Sequence, residues 1–204
     1  MSLVGKFCLN VSQNNFEMSE TDINGNIAWN LKGDRLEKFP NSARSEVINP
    51  LMHIISSKDS FWIIESKHAL DPDSLFKTIY LTGNVIFNKY DNNQINEVKI
   101  VTTEAIIYPD DEIIETDKFA TIVTPNSKTS GNGVIANMKK GQIKILSNAK
   151  RLSVSDDRTE QLEGERMLYD LKKKTWVLLK KEMQNDKIKI KDRVKTILRT
   201  RKAE

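Results

Sequence analysis

Side chains that could catalyse a reaction or bind a metal are few in this sequence. The only two histidines, His53 and His68, lie in no HxxxH or HExxH pattern and in no Cys/His cluster, so a metal site has almost no ligands to draw on. No serine or cysteine stands beside a histidine in a recognisable nucleophile motif. The sequence therefore predicts no catalytic residue, no metal site and no cofactor.

Acidic residues form one cluster, within residues 110–117, and a pair of carboxylates could in principle hydrolyse a glycosidic bond. The cluster falls at a predicted turn, where exposed charges are ordinary. Asp71 and Asp73 flank Pro72 and lack the ligand spacing of a calcium loop. We interpret both groups as turn residues.

The positive charge is concentrated in the carboxy-terminal third of the chain. Residues 139–204 hold 20 of the 32 Lys and Arg but only 10 of the 28 Asp and Glu, a net charge of +10, whereas residues 1–138 carry −6. This third is expected to meet anions such as phosphates, a membrane surface or nucleic acid, with a solvated lysine-rich sheet as the alternative. Cys8 stands alone, and no stretch approaches the roughly 20 apolar residues of a membrane helix.

The elements that position these residues are predicted to be strands. Apolar residues alternate with a period of two, turn residues recur every 8 to 14 positions, and the Asn24-Gly25 pair is a strong hairpin signal. Residues 158–171 come nearest to a helical period, but Gly164 and Arg166 interrupt it. The predicted fold is all-β, built from consecutive hairpins, after a loose arm at residues 1–15.

One unit recurs in the chain. Leu162–Leu178 is predicted to be a strand, a turn at Asp170–Lys174 and a returning strand, and residues 131–146 follow the same order around Lys139-Lys140-Gly141. We expect the later unit to add a hairpin that pairs with the earlier one. A long sheet folded over itself with one apolar face would leave a trough suited to acyl chains.

The sequence resembles the LptC family, the periplasmic component of the lipopolysaccharide export machine. The resemblance is carried by NFEMSETDINGNIAWNLKGDRLEKFP, VINPLMHII, WIIESKHAL, IYLTGNVIF, VTTEAIIYP and SGNGVIANMKKGQIKILSNAK, in the family's order over residues 16–151. Gly25 and Ser130-Gly131 resemble the family's turn glycines. Residues 152–204 depart from it and are similar to the closing repeat and basic tail of LptA, continuing the same sheet.

This resemblance implies an open, twisted antiparallel β-jellyroll of the OstA/LptA type. It implies a non-enzymatic protein that binds lipopolysaccharide through lipid A, works with an LptA-like bridge protein and the inner-membrane ABC transporter LptB/LptF/LptG, and self-associates head to tail. It also implies a periplasmic location, tethered to the inner membrane by an amino-terminal helix absent from this chain. The residues expected to face inward and bind lipid are Phe16, Met18, Ile27, Trp29, Leu31, Val47, Phe87, Phe119, Val134, Ile143 and Ile145.

Three alternatives stay open from the sequence. The extended chain could be an LptA-like soluble bridge protein. A polysaccharide-processing enzyme on a β-solenoid would need paired acids at inward positions, which are apolar here. Nucleic-acid binding would need aromatic residues among the basic ones, and residues 180–204 contain none, so we expect no nucleic-acid partner. The basic side chains of that tail, from Lys187 to Arg201, either contact lipid phosphates or an acidic partner or form a solvated face.

Overall fold

The chain forms one antiparallel β-sheet in the computed structural model, which describes residues 11–39, 42–57, 60–155, 158–179 and 195–200. Within these ranges there are fifteen strands and no helix. The strands are β1 (Val11–Thr21), β2 (Ile27–Phe39), β3 (Arg44–Ile48), β4 (Leu51–Ser57), β5 (Ser60–Glu65), β6 (His68–Asp71), β7 (Ile79–Asp91), β8 (Asn96–Tyr108), β9 (Ile113–Thr124), β10 (Ser127–Asn137), β11 (Gln142–Ser155), β12 (Arg158–Gly164), β13 (Arg166–Asp170), β14 (Thr175–Leu179) and β15 (Lys195–Thr200). The prediction of an all-β fold built largely from hairpins is confirmed.

The long strands each contribute to two layers, because their two halves pair with different neighbours. In β2, for example, residues 29–32 pair with β4 and residues 35–39 pair with β3. The first layer contains 16–21 of β1, 27–32 of β2, β4, β5, 85–91 of β7, 96–102 of β8, 119–124 of β9, 127–130 of β10, 149–155 of β11, β12 and β15. The second layer contains 11–14 of β1, 35–39 of β2, β3, β6, 79–82 of β7, 105–108 of β8, 113–116 of β9, 134–137 of β10, 142–145 of β11, β13 and β14.

A row of bends separates the two layers. Gly33 and Gly131 lie at the bends of β2 and β10, where the backbone passes close to other atoms. A Cβ on Gly33 would lie 2.6 Å from Val47 Cγ1, and one on Gly131 would lie 2.4 Å from Ile145 Cγ2. Between β3 and β4 the bend falls at Pro50, which cannot donate to a sheet ladder. The sheet is therefore folded along one line.

The two layers cover each other's inward faces. Inward residues of both layers, such as Trp62, Phe87, Ile107 and Ile143, are 0% exposed and belong to one continuous core cluster. One face of an open sheet is hidden from water only when another surface packs on it. Here that surface is the other half of the same strands, so the chain is a β-jellyroll.

Two expectations near the amino terminus can be compared with this fold. The Asn24-Gly25 hairpin is confirmed: Gly25 has a φ of +82°, and Asp22 Oδ1 accepts hydrogen bonds from the backbone N–H groups of Asn24 (2.8 Å) and Asn26 (2.9 Å). Residues 11–15 were expected to belong to a loose arm but are part of β1, in which residues 11–14 pair with 35–38 of β2. Residues 1–10 lie outside the described residues.

The expected carboxy-terminal hairpin is present and lies where the repeat predicted. β13 and β14 form a hairpin around residues 171–174, and β13 pairs with residues 142–145 of β11. The strand predicted from Leu162 is divided, because β12 ends at Gly164 and β13 starts after the bend, at Arg166. The sheet therefore ends at β1 on one side and, within the described residues, at β14 and β15 on the other.

Candidate functional site

The candidate site is the interior between the two layers, which we call the groove. Its first-layer wall has one row of directly opposed inward residues that crosses ten neighbouring strands. In order the row is Met18, Leu31, Met52, Ile64, Phe87, Ile100, Ile122, Thr129, Arg151 and Leu162. We call it the groove row. It is apolar from Met18 to Ile122 and becomes polar at Thr129.

The opposite wall, from the second layer, is apolar along its length. Its inward row is Ile79, Ile107, Ile114, Ala136, Ile143, Tyr169 and Trp176. Tyr169 and Trp176 pack with their ring centroids 4.9 Å apart at the carboxy-terminal end. Burial raises the pKa of the Tyr169 phenol, and the nearby charges of Lys174, Glu97 and Arg151 act on it as well. The groove thus has an apolar amino-terminal part and a carboxy-terminal part where polar groups enter.

Nine of the eleven predicted inward residues belong to this interior. Eight are buried in the core, and Met18 is half-buried against it. The eight are Phe16, Trp29, Leu31, Val47, Phe87, Val134, Ile143 and Ile145. Their contact with a lipid stays a prediction.

Ile27 was expected to face inward and does not, because a β-bulge changes the facing of the chain. Glu20 opposes Trp29 but Thr21 opposes Ile27, so Ala28 is an extra residue in β2. Ile27 therefore lies on the outer face and is 50% exposed, while Ala28 packs against the core.

Phe119 also points outward, and it is 60% exposed. The inward residues of β9 are Ile114, Thr116, Ala120 and Ile122, so an odd-numbered residue faces the solvent. Phe119 and Ala120 are adjacent, and the sequence pattern favoured the larger side chain for the interior. The smaller one occupies it.

Several lining residues are additions to the sequence prediction. Met52, Ile54 and Ile64 are at most 2% exposed and line the first layer. Their signal was the alternation in LMHII and WIIE on either side of the β4–β5 turn. Thr129 and Arg151 could not have been found this way, because only the strand register places them in the groove row.

The side of the groove opposite the bends, which we call the mouth, is crossed by contacts between the layers. Glu97 of the first layer pairs with Lys89, and its Oε1 lies 2.9 Å from Nζ of Lys174 in the β13–β14 turn. Burial of Glu97 would raise its pKa, but the two ammonium groups outweigh burial and lower the pKa below the usual value. At the amino-terminal end, the rings of Trp29 and Phe76 lie 6.2 Å apart across the same gap.

Asp71 holds the loop that carries Phe76. Its Oδ2 accepts a hydrogen bond from the Phe76 backbone N–H (2.9 Å), and its Oδ1 accepts one from that of Asp73 (3.3 Å). Burial raises the pKa of Asp71. Asp73 lies in the loop after β6, as predicted for a turn residue, whereas Asp71 is the last residue of β6.

The groups set aside in the sequence do not assemble into a site. His53 is exposed on the outer face and stacks on Phe61, with ring centroids 5.9 Å apart. Residues 110–112 lie in the β8–β9 turn. No group of three or more His, Cys, Asp or Glu that could hold a metal is found in the part of the chain that the structure describes. Of the basic tail only residues 195–200 are described, so most of that prediction lies outside the described residues.

A cleft of about 410 Å³ lies on the outer side of the second layer, near the bends. It is lined by apolar residues such as Tyr80, Ile106 and Ile135, and Lys118 at its rim pairs with Glu104 at 3.3 Å. The sheet separates this cleft from the groove, so the two are different surfaces.

Within the described residues no helix is long and apolar enough to cross a membrane.

The chain is similar to one protein family in sequence and, more distantly, to a solved structure. A family model described as "Lipopolysaccharide-assembly, LptC-related" matches residues 9–154. The solved structure of LptH from Pseudomonas aeruginosa, titled as the LptA homologous periplasmic component of the lipopolysaccharide transport device, aligns over 83% of this chain and 93% of that chain. Its sequence identity is 9% and its TM-score 0.31. Comparison with curated proteins gave no match.

The chain belongs to the LptC-related family of lipopolysaccharide assembly, because the family model covers well over half of it. The resemblance found in the sequence over residues 16–151 is therefore confirmed. The family match ends at residue 154, while β12, β13 and β14 continue the sheet beyond it.

Proposed function

We propose that the chain is a non-enzymatic carrier of lipopolysaccharide between the inner and outer membranes. Its groove shields the acyl chains of lipid A from water. The observation that carries this proposal is the groove row. From Leu31 to Ile122 it presents six apolar side chains on six neighbouring strands, a distance of roughly 24 Å at about 4.8 Å per strand. No titratable side chain interrupts this part of the row.

The physical reason for such a carrier is the cost of exposing acyl chains to water. Each CH₂ group transferred from water to an apolar site is worth about 0.8 kcal/mol, so one fatty acyl chain in the periplasm would cost on the order of 10 kcal/mol. Contact with the groove row removes most of that cost. The carrier then needs no covalent chemistry, and lipid moves on when a neighbouring groove offers an equivalent surface.

Lipid enters through the mouth, because the bends close the opposite side of the groove. Side chains from both layers fill the interior, with Phe87 and Ile143 both 0% exposed, so an acyl chain requires the layers to separate. The contacts that must open are the Glu97–Lys174 ion pair and the packing of Trp29 on Phe76. Both are formed by side chains rather than by backbone pairing, and both can therefore open without breaking the sheet.

The two sides of the sheet provide the places for partners. The strands β1 and β14 each have one pairing neighbour among the described strands, so each can extend the sheet into another protein by strand addition. We propose an inner-membrane ABC transporter complex, LptB/LptF/LptG, as the source of lipid and an LptA-like bridge protein as its acceptor. A periplasmic location and a membrane tether ahead of residue 1 are part of the same proposal.

A second candidate is the role of the soluble bridge itself. The observation that favours it is the continuation of the sheet by β12, β13 and β14 beyond the family match. These strands lengthen the groove at the end where a bridge protein would otherwise add its own strands. In this reading the chain spans part of the distance that LptA spans, and self-association head to tail extends it.

The test is site-specific photo-crosslinking to lipopolysaccharide. A photoreactive amino acid is placed at Met18, which is half-buried in the groove, and at Phe119, which is exposed on the outer face. Lys172, an exposed residue of the β13–β14 turn, is a second outer control. We expect lipopolysaccharide to label Met18 and neither control. Equal labelling at Met18 and Phe119 would contradict binding in the groove.

A further inference from the structure

The groove row changes from apolar to polar side chains towards its carboxy-terminal end. Thr129 on β10 follows Ile122, and Arg151 on β11 directly opposes Thr129. The Thr129 side chain is completely buried, and the side chain of Arg151 is only 18% exposed. A hydroxyl and a guanidinium group thus occupy positions in a row that the seven preceding strands fill with apolar groups.

These two side chains carry polar atoms that the fold leaves unused. Thr129 Oγ1 and Arg151 Nε are buried and have no hydrogen-bond partner among the described residues. Indole N–H groups without an acceptor occur elsewhere in the first layer, at Trp29 and Trp62, but an Ile separates them. Among the described residues, two such groups are directly opposed only at Thr129 and Arg151. Each costs stability, because burying a polar group without a partner loses its hydrogen bonds to water.

The opposite wall adds a third unused donor at the same end of the groove. Trp176 Nε1 is buried and has no acceptor among the described residues, and its ring packs on Tyr169. Arg151 lies on the first-layer part of β11, and Tyr169 pairs with Ile143 on the second-layer part of the same strand. Glu160 contacts Arg151 through Nη1 at 3.5 Å, a long distance for a charge-assisted hydrogen bond. The cation is therefore only weakly satisfied by the protein.

The charges around this end nearly balance. Arg151, Lys89 and Lys174 are cationic, and Glu97, Glu160, Asp91 and Asp170 are anionic, so recognition of an anion would depend on the unused hydrogen-bond donors rather than on an excess of positive charge. A guanidinium, a hydroxyl and an indole N–H are all hydrogen-bond donors toward a phosphate oxygen. An anion at the groove row would thus satisfy the two directly opposed groups, Thr129 and Arg151, together.

We propose that Thr129 and Arg151 form a phosphate-recognition site, which holds a phosphate group of the amphipathic ligand whose acyl chains occupy the apolar part of the groove. This inference rests on the proposed function. The site gives the ligand a direction, since its phosphate lies at the end formed by β10 to β14 and its acyl chains extend toward β2.

The experiment compares two ligands with identical acyl chains, bisphosphorylated lipid A and its dephosphorylated form. Dissociation constants are measured for the wild-type chain and for Arg151→Gln, Arg151→Lys and Thr129→Val. The matched control is Lys150→Gln, which removes one positive charge from the neighbouring residue on the outer face, where the side chain is 65% exposed. Thermal unfolding of each variant verifies that it is folded.

We expect the wild type to bind the phosphorylated lipid about tenfold more tightly, which corresponds to about 1.4 kcal/mol. Arg151→Gln should lose this preference and keep its affinity for the dephosphorylated lipid. Arg151→Lys should retain more of the preference than Arg151→Gln, and Lys150→Gln should retain all of the preference. Thr129→Val should weaken the preference while leaving the unfolding temperature equal or higher, because it removes an unsatisfied buried hydroxyl. A purely structural role would not give this combination.

Three results would overturn the site. The wild type could bind both lipids equally, Arg151→Gln could keep the preference, or Lys150→Gln could lose as much as Arg151→Gln. Inorganic phosphate serves as a separate probe: if it stabilises the wild type although the two lipids bind equally, the site does not recognise a lipid headgroup. Failure to bind either lipid would instead refute the proposed function.

Discussion

Replacing Gly131 by alanine tests whether the close approach at the bend determines stability. The added Cβ would lie 2.4 Å from Ile145 Cγ2 and 2.7 Å from the Ser147 carbonyl oxygen. Ile145 is 0% exposed, and the Ser147 oxygen belongs to the backbone, so neither can move aside without shifting the sheet. Overpacking of this kind costs typically 1–3 kcal/mol, and we expect about 2 to 3 kcal/mol because one contact is with backbone.

The matched control is Gly25→Ala, which separates the cost of backbone strain from the cost of steric overlap. Gly25 has no atom within 4 Å of the position of a Cβ but has a φ of +82°, whereas Gly131 is not among the residues with positive φ. Gly25→Ala should therefore lose only about 1 kcal/mol, through backbone strain. Urea unfolding at unchanged m-value measures both free energies. If Gly131→Ala costs less than Gly25→Ala, the steric explanation of the bend is refuted.

Three further predictions concern the two faces and the mouth. Phe87→Ala should cost about 3–5 kcal/mol of unfolding free energy and Phe119→Ala less than about 0.5 kcal/mol, because only Phe87 is buried; equal costs in urea unfolding would contradict the assignment of faces. Glu97 and Lys174 are both replaced by cysteine, with Cys8 replaced by serine, and the two new cysteines are joined by a short cleavable bismaleimide. The joined protein should not take up lipopolysaccharide until the linker is cut. Uptake by the joined protein would place the entrance elsewhere. The folded-state pKa of Glu97 lies below its ordinary pKa of 4.5. Its ion pairs therefore stabilise the folded state fully at a pH above 4.5, and this stabilisation is lost as the pH falls through the folded-state pKa. The wild type should exceed Glu97→Gln in unfolding free energy by about 1 kcal/mol at pH 7, and this difference should shrink as the pH falls below 4.5. A difference that stays constant with pH would show that the carboxylate charge is not the cause.

The sequence was sufficient for the strands and for most of the buried face, because alternation and turn residues are local signals. The hairpin at Asn24-Gly25 and the added hairpin at 166–179 follow from such signals alone. Ile27 shows where they fail. The extra residue Ala28 exchanges the two faces of β2, and a bulge depends on pairing with another strand rather than on the pattern within one.

The polar end of the groove was beyond sequence reasoning for a related reason. Thr129 and Arg151 are 22 residues apart in the chain, and they meet only because β10 and β11 pair in one particular register. A bend and a register shift between Ser130 and Asn132 lie beside them. The Glu97–Lys174 pair is similar, since it joins residues that belong to opposite layers. Contacts set by folding of the sheet over itself leave no periodic trace in the sequence.

The two sides of the sheet differ, and this difference sets the symmetry of any assembly. On one side a single strand, β1, passes through both layers; on the other, the layers end separately in β14 and β15. A two-fold symmetric dimer uses the same surface on both copies, so it could join only like sides. Joining unlike sides gives a heterologous contact, which has a direction and builds either a ring or an open row. An open row of such molecules would have two distinguishable ends, one formed by β1 and the other by β14 and β15.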